Sequence, residues 1–295
     1  MALLVQTNLS SLTAQRNLRL STNKGDETTK VLASGLRINS AADDPANLQI
    51  THKFTSQINC LNRGNQNSSE GQALVELAEG ALAEDYSILS RIRQLAIQSA
   101  NGIYTQEDRD VMQNEVNELC QEITRVACKT TYGGAQVLNG KNKGLIGDSG
   151  KLDFQVGSNA NTTISVDLSV SFTMSSLNAE VGGVTDGIGY DAANNTFDLS
   201  TASKAQNVLA HIDSYMSFVD SKRAEMGAVS NRLSSTITNQ ESMTENESDA
   251  RARIRDADYA TETAAYIQTN TLQDATSQML VQANARPNLV KNLLM

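Results

Sequence analysis

From Ala46 to Arg286 the chain contains no proline. Proline lacks an amide donor and fixes φ, so it is the residue that most sharply ends a helix. An average chain carries it at about one position in twenty. Here Pro45 and Pro287 are the only 2 in 295 residues, both near the ends. A chain so free of breakers is expected to be mainly α, with long helices. Its hydrophobic share of 39%, with 7 tyrosines, 5 phenylalanines and no tryptophan, suits packed amphipathic helices better than one large globular core. The length predicts about two domains. A net charge of −9 argues against a protein that coats nucleic acid, because phosphate binding needs a dense Lys/Arg surface. No stretch approaches the roughly 18 apolar residues of a membrane span. The start, Met1 to Thr7, has neither the basic region nor the long apolar run expected of a cleaved signal peptide.

Cysteine and histidine narrow the chemistry. Cys60, Cys120 and Cys128 are an odd, widely spaced set, neither a disulfide framework nor a CxxC metal pair. On one helix Cys120 and Cys128 would be separated by about 12 Å of rise, too far for a bridge. They read as small buried or half-buried hydrophobes. His52 and His211 have no zinc-type spacing, and the chain has no GxSxG, P-loop or dinucleotide-binding motif. The carboxylates are scattered over faces that read as solvated. No enzyme activity, metal or cofactor is expected.

The apolar residues follow a helical period over 70–100. Leu74, Leu77, Ala81, Ile88, Ile92, Leu95 and Ser99 form one stripe, with Asp85 standing where another apolar residue would fall. Asn101-Gly102 should end this helix. A second helix is expected from Thr105, a residue able to cap it, with Glu107 and Asp108 favouring the positive end of the dipole. Its stripe is Val111, Met112, Val116, Leu119, Ile123 and Val126. The period then changes to two: Leu152, Phe154 and Val156, then Ile164, Val166 and Leu168, predict two strands joined by the turn-rich 157–161. Residues 175–200 read as a small surface insertion. Helix returns from Ser203 with Val208, Ile212, Tyr215, Val219, Met226, Val229, Leu233 and Ile237, and should continue through the polar 238–250. A last helix is expected over 258–284, stopped by Pro287.

Both ends are weakly amphipathic. Leu9, Leu12, Leu18, Leu20, Val31 and Leu32 make a thin stripe that Lys24-Gly25-Asp26 interrupts, and the tail offers Ala264, Ile267, Thr271, Ala275 and Met279. Such helices bury too little alone to offset a backbone ordering cost of roughly 1–2 kcal/mol per residue. Either the ends fray, or they order on self-assembly, for which a narrow seam of the coiled-coil kind is suited.

Six segments carry a family resemblance. The run from Leu32 to Asp44, LASGLRINSAADD, resembles the motif near the start of bacterial flagellins. Arg91 to Asn101, RIRQLAIQSAN, is similar to their first long-domain helix, and Phe154-Gln155-Val156-Gly157 with Ile164 to Leu168 is similar to their β-hairpin. Ala252 to Ala260 and Met279 to Asn284 resemble their carboxyl-terminal signature. The segments occur in the family's order. Three cysteines, Asn47 in place of a common glycine, the Lys24-Gly25-Asp26 break and Lys291 near the end depart from the usual pattern.

The resemblance implies a structural subunit of the flagellar filament, used for motility and exported unfolded by the flagellar type III system. Residues 1–44 and 255–295 would pair as a terminal coiled-coil filament-core domain. Residues 45–174 and 203–254 would form a helical rod with the β-hairpin, and 175–202 a short variable surface insertion. Assembly would fall to Leu9, Leu12, Leu32, Leu36, Ala264, Ile267, Thr271, Ala275 and Met279. The implied partners are further copies of the chain, hook–filament junction and cap proteins, and an export chaperone. A host flagellin-sensing Toll-like receptor would read Arg91, Leu95 and Glu115, although Leu95 also lies on the core-facing stripe. Thr162, Thr163, Ser169, Ser171, Thr173, Ser175 and Ser176 are candidate O-glycosylation sites or an unmodified loop. A hook-associated junction protein, a minor specialised flagellin and a secreted coiled-coil adhesin are the competing readings.

Overall fold

A computed structural model describes residues 7–141, 143–182 and 187–294, with 286–294 described as backbone alone. Among the described residues six helices and three small hairpins follow one another. They are α1 Leu9–Ser34, α2 Pro45–Ser99, α3 Gln106–Lys129, β1 Thr131–Tyr132, β2 Ala135–Gln136, β3 Lys151–Gln155, β4 Thr163–Asp167, α4 Met174–Val181, β5 Tyr190–Asp191, β6 Thr196–Phe197, α5 Ala202–Arg255 and α6 Tyr259–Leu294. The mainly helical class is therefore as the proline-free stretch predicts. The chain divides into two compact units, one of residues 1–58 with 245–295 and one of 59–244.

The 59–244 unit holds the hydrophobic core. α2 contributes Val75, Ala78, Leu82, Leu89, Ile92 and Ala96, α3 contributes Val116 and Ile123, and α5 contributes Val208, Ile212, Tyr215 and Val219. The α2 stripe is as the sequence reading has it at Leu74, Ile92, Leu95 and Ser99, but Ala78, Leu82 and Leu89 take the inward places expected of Leu77, Ala81 and Ile88; Leu77 is 39% exposed, and Val111 of α3 is 69% exposed. Thr105 caps α3 through a capping box with Asp108, and Lys129 lies in its last turn, each suiting the dipole. The central segment is more than surface. Met174, Leu177, Phe197 and Leu199 are wholly buried and Tyr190 is nearly so. Phe197 stands edge-on to Tyr215 at 5.2 Å between ring centroids, a favoured aromatic geometry. These few apolar residues, diluted by Gly, Asn and Ser, escape any periodicity test, yet each closes part of the core.

The hairpin β3–β4 pairs antiparallel, Phe154 opposite Ile164 and Leu152 opposite Val166. It lies on two glycines of α2, seven positions and so two helical turns apart. A Cβ on Gly64 would lie 2.1 Å from the Val156 carbonyl oxygen, and one on Gly71 would lie 3.1 Å from the Phe154 ring. Asn67 Nδ2 donates to the Gln155 carbonyl at 2.9 Å, and Gln240 Nε2 of α5 donates to the Val156 carbonyl. Leu233 of α5 completes the contact with Val156 and Ile164.

In the other unit, α1 and α6 lie side by side. α1 runs unbroken through Lys24-Gly25-Asp26, contrary to expectation, because Gly25 is a close-approach residue and not a break. A Cβ there would lie 3.0 Å from Gln273 Nε2 and 3.4 Å from Thr269 Cγ2. Gly35 ends α1 at φ 69°, its amide returning to the Val31 carbonyl. The loop that follows explains the Asp-Asp motif. Asp43 accepts from the amides of Ser40 and Asn39, which hold its carboxyl below the usual range. Asp44 accepts from the Asn47 amide ahead of Pro45, the favoured first helical residue, so it acts as the cap of α2. The Asn47 side chain donates back to Asp44 at 2.7 Å, which gives the departure from glycine a local role.

Candidate self-assembly surface

The seam between α1 and α6 is built from small residues. Ser11, Ala14, Ser21, Gly25 and Thr28 of α1 are buried, as are Thr269 and Ala283 of α6. Their 3–4 spacing is that of a coiled coil, and their size lets two backbones come close. The threonine hydroxyls are satisfied within their own helices, Thr28 by Gly25 and Thr269 by Ala265. Ser21 Oγ crosses to the Thr269 carbonyl at 3.2 Å.

Leu18 apart, most of the larger apolar residues stay outside this seam. The pairing of the two ends therefore leaves most of the residues expected to serve assembly uncovered. Leu9 is 62% exposed, Leu12 54%, Leu20 58%, Ile267 60%, Leu272 50%, Met279 67% and Val281 71%. Ala264, Thr271 and Ala275 are exposed as well, while Leu32 and Leu36 are half-buried. A groove of about 670 Å³ runs along the pair, with Leu9, Thr13, Leu272, Ala275 and Met279 in its walls. The signal for the true seam was present as the run Ser11, Ala14, Leu18, Ser21, Gly25, Thr28, whose 3–4 spacing is hidden because most of its members are polar or have no side chain.

The tail also continues past its expected stop. α6 reaches Leu294, through Pro287, where the missing amide ordinarily costs a helix its bond to the carbonyl four residues back. That carbonyl belongs to Ala283, and it accepts instead from Asn8 Nδ2 at 2.7 Å.

The proposed receptor residues divide. Arg91 and Glu115 join as an exposed ion pair at 2.7 Å. Leu95 is only 3% exposed, among the residues of the core cluster, so the folded unit withholds it from any surface. Among the candidate glycosylation positions Thr162, Thr163 and Ser175 are exposed, whereas Ser169, Ser171, Thr173 and Ser176 are half-buried. The hydroxyls of Ser171, Thr173 and Ser176 follow one another in a hydrogen-bonded chain. Of the cysteines, Cys60 is exposed, Cys128 half-buried and Cys120 buried, all free. Burial pushes the Cys120 thiol up to about 12, which leaves it inert as a nucleophile at neutral pH.

Comparison with known proteins settles the family. The N-terminal helical region of bacterial flagellins matches residues 5–143, and their C-terminal helical region matches 209–294. Flagellin of Halalkalibacterium halodurans is 34% identical, with 99% of this chain and 100% of the relative covered. The chain belongs to the bacterial flagellins. Flagellin of Bacillus subtilis is also 34% identical, over 98% of this chain and 99% of its own. Polar flagellin F of Vibrio parahaemolyticus is 33% identical over the whole of both chains. A solved structure described as a putative flagellar hook-associated protein from Vibrio parahaemolyticus covers 72% of this chain and 100% of its own at TM-score 0.57. Its 16% identity shows a shared fold alone. Flagellins are the structural subunits of the extracellular flagellar filament. As a flagellin, the chain self-assembles into a filament. Among the described residues no helix is long and apolar enough to cross a membrane.

Proposed function

We propose that the outer face of the α1·α6 pair, with Leu9, Leu12, Leu20, Ile267, Leu272, Met279 and Val281, is the surface by which copies of this flagellin polymerise. The observation that carries this reading is that these side chains stay half or more exposed after the two helices have completed their own seam. Large apolar side chains left uncovered in this number are a liability on a monomer and an asset in a polymer. Residues 1–44 and 255–295 are thus read as the polymerising part of the chain, and 45–174 with 203–254 as the rod. The same face would seat an export chaperone before assembly and junction or cap proteins at the filament ends.

The test is seeded growth of an Ile267→Glu, Met279→Glu double variant. It should lose elongation on wild-type seeds while its circular dichroism and the melting of the 59–244 unit stay unchanged. Elongation at the wild-type rate would remove this face from the subunit contact.

A further inference from the structure

Asn8 carries two bonds at once. Its Oδ1 accepts from the Ser11 amide at 3.1 Å and so caps α1. Its Nδ2 donates to the Ala283 carbonyl at 2.7 Å, across to α6. Next to it Ser11 Oγ donates to Asn284 Oδ1 at 2.7 Å. Ala283 itself is 8% exposed. In a regular helix its carbonyl would accept from the amide of residue 287, and residue 287 is proline.

We propose that Asn8 is a register lock for the terminal helix pair, donating to the one interior carbonyl of α6 that its own helix leaves without an amide. Pro287 is the only proline of α1 and α6, so no other interior carbonyl of either helix is orphaned in this way. Apart from the close approach at Gly25, the small residues of the seam discriminate weakly between registers. Ala14, Ser21 and Thr28 recur every seven residues. A slip of about 10.5 Å, one such repeat, sets small residue against small residue again. The slipped pair leaves the Ala283 carbonyl buried without a donor and Asn8 without an acceptor, separates Ser11 from Asn284, and brings a leucine to the close approach that Gly25 makes with Thr269 and Gln273. A single polar contact at one position is the means by which coiled coils fix register at little gain in stability. Asn8 lies next to the start of α1 and Ala283 near the end of α6, so the lock ties the ordering of the two chain ends to each other.

A double-mutant cycle on the full chain tests this. Asn8→Asp keeps the acceptor that caps α1 but cannot donate to Ala283. Pro287→Ala restores the amide, giving the carbonyl its own donor. Amide hydrogen exchange is followed by mass spectrometry over residues 11–18 and 277–285, in the soluble chain and in sedimented polymer. In the proline background Asn8→Asp should speed exchange about fivefold to tenfold, the loss of one hydrogen bond to a buried acceptor. In the Pro287→Ala background the same substitution should change it less than about twofold. Equal effects in the two backgrounds would reduce Asn8 to a cap and overturn the proposal. So would free-peptide exchange of these segments in the wild type in both states. Protected ends in a soluble chain that never polymerises would keep the lock and remove the assembly reading.

Discussion

Asp85 stands where the stripe of α2 calls for an apolar residue, and the structure leaves it there. Its side chain is fully buried, and neither carboxylate oxygen has a hydrogen-bond partner among the described residues. Burial first, then the carboxylates of Glu122 and Glu84, push it up to about 8. The folded chain therefore holds a proton between about pH 4 and 8 that the unfolded chain releases. Stability falls as pH rises through that window, by on the order of several kcal/mol for a shift of this size, and is flat above it. Asp85→Asn cannot ionise. Urea unfolding at pH 5 and pH 8 should show the wild type losing several kcal/mol more than the variant; equal losses would show that Asp85 is already ionised in the folded unit. In sequence this residue is visible only as an interruption, because periodicity marks a position as inward without saying whether it is satisfied.

At the scale of elements, the glycines of α2 separate into two kinds that the sequence does not distinguish. Gly64 touches the hairpin backbone, and nothing lies within 4 Å of a Cβ at Gly80. Alanine is favoured over glycine in a helix by roughly 0.5–1 kcal/mol, so Gly80→Ala should raise stability by about that amount. At Gly64 the clash is with backbone, held by the Asn67 and Gln240 bonds, and overpacking of roughly 1–3 kcal/mol outweighs the helix gain. Gly64→Ala should therefore destabilise and speed amide exchange in β3 and β4. The pair of melting temperatures, one raised and one lowered, checks the assignment of the hairpin seat. The hairpin itself was legible because Phe154 and Ile164 alternate with polar residues. Its seat was not, since two glycines in a long helix look like mere weak points. The long helices were legible from missing prolines, and the small hairpins β1–β2 and β5–β6 were too short to show a period.

At the scale of the whole chain, the family was legible because several short segments, from Leu32 to Asn284, agree in order. The helical class needed only the proline count. What stayed hidden was how the ends pair, for a physical reason: a hydrophobic pattern finds the side chains that need cover, and the α1·α6 seam is made of residues that need almost none. Ser11, Ser21 and Gly25 bring the helices together by being small, which leaves Leu9, Leu12, Ile267 and Met279 uncovered. The extension past Pro287 was hidden likewise, since the donor to Ala283 is a side chain at the other end of the chain. The polymer is expected to bury these uncovered side chains. Methionine oxidation footprinting of the soluble chain and of sedimented filament measures it directly, with the buried Met112, Met174 and Met226 as unreactive references. Met279, 67% exposed in the single chain, should lose its reactivity on polymerisation by about tenfold or more. Equal oxidation of Met279 in chain and filament would contradict the account.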